Sequence, residues 1–378
     1  AASVDATALI NRRSFIKKSG LVSVSLASLL SGCALANESK QGPNTTNESQ
    51  GKLQSDTGTK SGITIDENEP LTASTFAFDT LVMLSSYGNQ EVLDRCIEEC
   101  ARFDTLLSAH TEGSDVWKIN HAGGKPTKVS ADTAACIQDS LVYCEKSKGV
   151  FDITIGSVSL LWDFVSGVKP SEEAIQEGLT HIDYTKVQVD GTVVTLEDPK
   201  AQLDLGGSAK GFIADKLAQI YRDAGASGII NLGGNVYCIG KKPDGSKYRV
   251  AVKDPNDPNQ KFLLVLELED SSIVTSGLYE RNFVVDDTMY YHILDINTGY
   301  PAQTDLVADT LVSKSSTECD CYSTTLFILG LEEGKSFIEG VDEIEGFFVN
   351  ENNEVVFTSG FKEQYPYELE EGIVEVSL

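Results

Sequence analysis

From Ser74 onward the chain alternates helical and strand-like apolar spacing, and no linker interrupts it after residue 72. A helix stripe and a strand face each need a second layer to bury against, so an unbroken alternation restricts the chain to one layered domain. Apolar residues recur at helical spacing over Glu91–Leu107 (Val92, Leu93, Cys96, Ile97, Phe103, Leu106) and again over Ala131–Lys146. Lys210–Ala224 carries a third stripe of Phe212, Ile213, Leu217, Ile220 and Tyr221. Further helical segments start at Ser323 and at Glu333. Ser74–Tyr87 reads as a first strand, with others at Gly228–Leu232, Tyr248–Val252, Leu263–Leu268 and His292–Leu294. Phe347–Phe357 reads as a hairpin around Glu351-Asn352-Asn353. There is no internal repeat. The pattern predicts an α+β, single mixed α/β domain over 72–378.

The residues before it have another character. Arg12-Arg13 precede an apolar stretch from Leu21 to Leu30, about 10 residues long where a bilayer span needs roughly 20. The order resembles a twin-arginine export signal over 1–33. Leu30-Ser31-Gly32-Cys33 resembles a bacterial lipobox, in which Cys33 becomes the lipidated residue. The expected location is therefore outside the bacterial cytoplasmic membrane, anchored by lipid to its outer face. Residues 34–71 turn to Asn, Ser, Thr, Gly, Lys and Gln, the composition of a solvated tether with no structure of its own.

Charge excludes one class of partner. The chain carries a formal net charge of -27. Residues 1–33 hold four bases (Arg12, Arg13, Lys17, Lys18) and one acid (Asp5), so the remainder stands at -30. Such a surface repels phosphate backbones, and nucleic acid is not an expected partner. A small phosphate ligand is still possible where a metal ion or backbone N–H groups supply a local positive field. Beyond Cys33 the chain has Cys96, Cys100, Cys136, Cys144, Cys238, Cys319 and Cys321. With only four His in the chain and none at paired ligand spacing, buried thiols are favoured over a zinc site.

Glycine clusters and acids mark the candidate site. Leu203-Asp204-Leu205-Gly206-Gly207-Ser208-Ala209-Lys210-Gly211 leads from a strand-like segment into the third helix. It reads either as an anion cradle, with glycines and helix N–H groups near a ligand and Lys210 adding charge, or as an ordinary turn capped by Ser208. Asn231-Leu232-Gly233-Gly234-Asn235 forms a second such loop. Gly149 to Gly156 places Asp152 and Thr154 inside an apolar run. Asp320, Ser323 and Thr324 fall at i, i+3 and i+4 and share a helix face; a carboxylate with hydroxyls suits Mg²⁺, and equally a helix cap. His292, in Tyr290-Tyr291-His292-Ile293-Leu294-Asp295, is either a structural residue or a base.

Together these segments resemble one family. Asp204–Gly211, Asn231–Asn235, Thr275-Ser276-Gly277 with Tyr279-Glu280-Arg281, His292–Pro301 and Asp320–Gly330 occur in the order found in the FAD:protein FMN transferases, the ApbE-type flavin transferases. Ser114-Asp115-Val116, Ile119-Asn120, Phe151-Asp152 and Leu161-Trp162 match as well, so the likeness covers roughly Ser74 to Thr358. The resemblance implies an ApbE-like, T-fold-related domain that moves FMN from FAD to a threonine hydroxyl of a target flavoprotein, releasing AMP. It implies Mg²⁺ held by Asp320, Thr324 and the main-chain oxygen of Gly207, with Asp204 and Lys210 facing FAD. Phe78, His110, Asp152 and Leu294 would line the flavin or adenosine, and His292 would be the base or would orient the acceptor hydroxyl. The implied acceptor is an exported flavoprotein of a membrane electron-transfer system. Departures from the family pattern are Phe78 in place of Met, His110 in place of Tyr or Phe, Ser323 in place of a second acid, and Ile296 in place of Pro. The same residues would also serve an FAD pyrophosphatase, and a flavin-binding or solute-binding lipoprotein is a third reading.

Overall fold

The computed structural model describes residues 33–35, 68–257, 261–278 and 282–377. Arg12, Arg13, the apolar stretch 21–30, most of the tether and Tyr279-Glu280-Arg281 lie outside the described residues.

A nine-stranded sheet runs through the domain. Across it the strands are Val374–Glu375, Glu354–Phe357, Glu345–Val349, Ala308–Ser313, Ser271–Gly277, Asn235–Ile239, Gly228–Leu232, Thr80–Ser86 and Leu71–Ala77. Every pairing in it is antiparallel except that between Glu354–Phe357 and Val374–Glu375. Its central strands Gly228–Leu232, Asn235–Ile239 and Ala308–Ser313 are buried along their whole length. The period of two explains how one strand serves two cores. Tyr237 and Ile239 join the helix-side core, whereas Val236 and Cys238 join the core on the opposite face.

That opposite face packs on a four-stranded sheet of Cys33–Leu35, Tyr248–Lys253, Phe262–Leu268 and Tyr367–Leu369. The helix face carries Ala209–Asp223 and Ser316–Ile338, which pack on each other. Gln90–Leu107 flanks the first of these and Ala131–Lys146 the second. Three layers result, and the helix pair lies over the middle of the large sheet.

Several expectations are corrected. Ser74–Tyr87 is a hairpin of two strands, turned at Phe78 and Asp79 with φ of 55° and 57°. Both turn residues take positive φ, which matches the twist of the strands, but neither is glycine, so the usual signal is missing. His292–Leu294 is not a strand. The strand Thr288–Tyr291 ends before it, and only an isolated bridge from Leu294 to Pro301 follows. The two helices expected from Ser323 and Glu333 form one segment, Ser316–Ile338, broken at Gly330 (φ 76°, ψ -175°). Ala34 and Leu35, expected in a structureless tether, extend the sheet edge opposite Ala251 and Val250. The hairpin of Phe347 and Phe357 pairs as expected. The seven cysteines beyond Cys33 are buried free thiols.

Candidate active site

The site is built on the N-termini of two helices. Ala209–Asp223 starts immediately after the glycine loop, and Ser208 at its N-cap makes no side-chain cap. Ser208 Oγ instead receives a hydrogen bond from Ser140 Oγ at 2.8 Å. The ordinary capped turn is thereby ruled out. The third helical N–H, that of Gly211, donates to Asp320 Oδ2 at 2.8 Å. A Cβ at residue 211 would overlap the Ser316 carbonyl and stand 2.7 Å from Thr317 Cα, so only glycine lets the two helices meet.

Asp320 is buried, and burial pushes its carboxyl above the usual range; Lys210 and the Gly211 N–H act in the opposite direction. Thr324 follows one turn later, its Oγ1 donating to Asp320 O at 3.4 Å. A Cβ on Gly207 would stand 3.1 Å from that Oγ1 and 3.0 Å from Phe151 Cε2. Gly207, Asp320 and Thr324 are thus neighbours. Ser323 turns aside, accepting from Ser276 Oγ at 2.9 Å and donating to Asp320 O at 3.0 Å. Among the described residues, no group of three or more His, Cys, Asp and Glu could hold a metal. The oxygens available in this neighbourhood are the Asp320 carboxylate, the Thr324 hydroxyl and main-chain carbonyls. Such hard oxygens fit Mg²⁺, which keeps its remaining places for water or phosphate.

Asp204 is held from two sides. Its Oδ1 accepts the Gly206 N–H at 2.8 Å and its Oδ2 accepts Ser159 Oγ at 2.6 Å. The segment before it is clamped by buried Asn120, which donates Nδ2 to Leu203 O (2.9 Å) and accepts Leu203 N through Oδ1 (2.7 Å). Asp152 stands behind this wall. Its two oxygens accept Thr154 N at 2.7 Å, Thr154 Oγ1 at 2.6 Å and Tyr184 N at 3.0 Å. Its carboxyl therefore organises the loop that carries Phe151 rather than pointing at a ligand.

The other end of the site is aromatic. Trp162 stacks on Phe164 (5.6 Å between centroids, 11° between planes) and Phe283 on Tyr290 (5.4 Å, 23°), with Tyr300 edge-on to Trp162. Lys169 lies over the rings of Tyr290 and Tyr300. Leu294 packs into this cluster. His292 is half-buried; its neighbours Tyr291 and Ile293 pack on the helix that bears Asp320, and Tyr291 meets Phe327 edge-on at 6.0 Å. His292 thus connects the acid-bearing helix to the aromatic cluster. Asp295 holds the following turn by accepting Asn297 N at 2.8 Å. Hydrogen bonds from Ser166 hold the Asp163 carboxyl below the usual range, and exposed His110 adds to this as the smallest contribution. Phe78 donates its N–H to Asp104 Oδ1 at 2.8 Å and packs against the helix-side core. Sequence reasoning missed Ser159 and Asp215, and gave Phe151 no role beyond a matching segment. Each acts through a neighbour distant in sequence, and no local pattern marks it.

Fold and site define a layered α/β domain in which Asp320, Thr324 and Gly207 lie beside a helix N-terminus. The ApbE family matches over residues 75–348, and the chain belongs to that family. An FAD:protein FMN transferase of Treponema pallidum (strain Nichols) is 33% identical over 276 residues, covering 68% of this chain and 76% of that one. Another from Klebsiella pneumoniae (strain 342) is 31% identical over 300 residues, 78% of this chain and 93% of that one. The crystal structure of the ApbE protein of Thermotoga maritima superposes with a TM-score of 0.71 at 30% identity, covering 78% of this chain and 99% of that one. The flavin transferase ApbE of Vibrio cholerae has the same fold, with a TM-score of 0.69 at 22% identity and the same coverage.

Proposed function

We propose that the chain is an FAD:protein FMN transferase, Mg²⁺-dependent, that links FMN to a threonine hydroxyl of an acceptor flavoprotein and releases AMP. The observation that carries this reading is the meeting of Asp320, Thr324 and Gly207 at the start of the Lys210-bearing helix. Bound there, Mg²⁺ would neutralise phosphate charge as a Lewis acid. The chain's own residues do the rest. Lys210 and the helix N-terminus hold the pyrophosphate, since both present positive field to an anion. Asp204, fixed by Ser159, orients the nucleotide end. His292 takes the proton from the acceptor hydroxyl as its oxygen bonds to the FMN phosphorus, and the bond from that phosphorus to the AMP oxygen breaks.

Arg12-Arg13 and the Leu30–Cys33 motif support an exported lipoprotein, anchored through Cys33 at the outer face of the membrane. The acceptor would then be an exported flavoprotein of a membrane electron-transfer system. Among the described residues no helix is long and apolar enough to cross a membrane.

Incubating the protein with FAD, Mg²⁺ and a threonine-containing acceptor tests the reaction. Mass spectrometry should show the acceptor heavier by one FMN, with AMP in equal amount. Free FMN and AMP beside an unmodified acceptor would make the protein a pyrophosphatase, and intact FAD would make it a binding protein.

A further inference from the structure

The helix pair is joined by two carboxylates exchanged in opposite directions. Asp320, on Ser316–Ile338, accepts the Gly211 N–H at the start of Ala209–Asp223. Asp215, one turn further along Ala209–Asp223, accepts the N–H groups at the start of Ser316–Ile338. Its Oδ1 takes Ser316 N at 2.8 Å; its Oδ2 takes Thr317 N at 2.9 Å and Thr317 Oγ1 at 2.6 Å. Ser315 Oγ completes that end by accepting Glu318 N at 3.2 Å. Each helix therefore caps the other, and the two contacts lie one turn apart on each. A single contact would leave the helices free to slide or rotate about it. Two contacts fix both motions.

We infer that Asp215 is a positioning residue for the cation site, setting the place of the Asp320 carboxylate without touching the ligand. The inference rests on the metal reading proposed above. Asp215 has a cost that a purely stabilising residue would not need: it is half-buried, and its charge works against that of Asp320. A neutral cap on Ser316 and Thr317 would hold the helix end without that repulsion. Asp215 supplies acceptors for these three donors and for Ser315 Oγ (3.4 Å) at once, and so fixes the rotation of the turn from which Asp320 projects. Its neighbour Lys216 is paired to Asp132, at 3.4 Å.

The test titrates Mn²⁺, a paramagnetic substitute for Mg²⁺, into the full chain with FAD present and follows the loss of the free-ion resonance signal. Asp215→Asn should weaken Mn²⁺ binding about tenfold, the equivalent of ~1.4 kcal/mol. Thr317→Val removes one donor to Asp215 but leaves every charge in place, and should weaken binding about threefold, a lesser loss from one neutral donor. It also separates positioning from simple loss of negative charge, and serves if Asp215→Asn folds poorly. Val355→Ala, in the core on the far face of the sheet, should lower the melting temperature while leaving the Mn²⁺ midpoint unchanged. Wild-type midpoints in both clamp variants, or a shift in Val355→Ala as large as theirs, would overturn the inference and leave the cation reading intact. No Mn²⁺ binding by the wild-type chain would overturn the cation reading and the inference with it.

Discussion

The two ends of the site are made of different material. The phosphate end consists of backbone N–H groups, a glycine contact and three carboxylates, buried at Asp320 and half-buried at Asp204 and Asp215, which accept from named donors at 2.6–2.9 Å. The aromatic end is a stack of rings on an exposed hairpin, where Val284 is 61% and Met289 49% exposed, beside Val165 at 97%. Hydrogen bonds at a helix end have fixed directions, whereas stacked rings accept a range of offsets at little cost. One end can therefore impose a single geometry on a pyrophosphate. On the proposed reaction, the other would adapt to the protein surface that presents the acceptor hydroxyl. The division matches the proposed reaction, in which the donor is invariant and the acceptor is a large partner.

The sharpest test of the comparison is Asp320→Ala. It removes the only carboxylate of the cation set and should lower FMN transfer at least about 100-fold, a loss typical of deleting a key electrostatic group; a rate within fivefold of wild type would break the division. Gly211→Ala comes next. Its methyl must push the helices apart, which should cost about 2 kcal/mol and lower the melting temperature by several degrees in calorimetry. Phe283→Ala at the aromatic end should raise the acceptor KM about fivefold with kcat nearly unchanged, as expected for about 1 kcal/mol of ring contact. A fall in kcat there would mean that the rim also sets the reacting geometry. The smallest effect is expected behind both regions, at Cys96 and Cys100. Burial pushes their thiols up to about 12, so at pH 8 almost no thiolate exists. Iodoacetamide should leave both unlabelled in the folded protein and label them in denaturant, as read by peptide mass.

The contrast also governs what could be read from the sequence. The phosphate end was legible because its chemistry is local: glycines adjoin the helix they open, and Asp320 and Thr324 share a helix face by spacing alone. The helices Gln90–Leu107, Ala131–Lys146 and Ala209–Asp223 were legible through their apolar stripes. The aromatic end was not, because Trp162, Phe283 and Tyr300 meet only after the chain has folded, and each alone is an ordinary aromatic. Phe78 was singled out as a ring but not as a turn residue, since its positive φ is imposed by the hairpin. Asn235–Ile239 and Ala308–Ser313, buried on both faces, lose the alternation that marks a half-exposed strand. Asp152 was legible as an acid in an apolar run, but its bonds to Thr154 and Tyr184, a loop closing on itself, were not. Asp215 reads as one more acid on a helix until its partners, about 100 residues later, are in place.

The reciprocal clamp has a consequence in time. Gly211 and Asp320 are 109 residues apart, and a ribosome adds roughly 5–20 residues each second. A growing chain therefore carries its glycine loop for several seconds before the acid that completes the cation set exists. The N-terminus of Ala209–Asp223 has no Asp320 partner during that interval. On the proposed reading, the site is completed only once Asp320 has been added, well after the glycine loop that faces it.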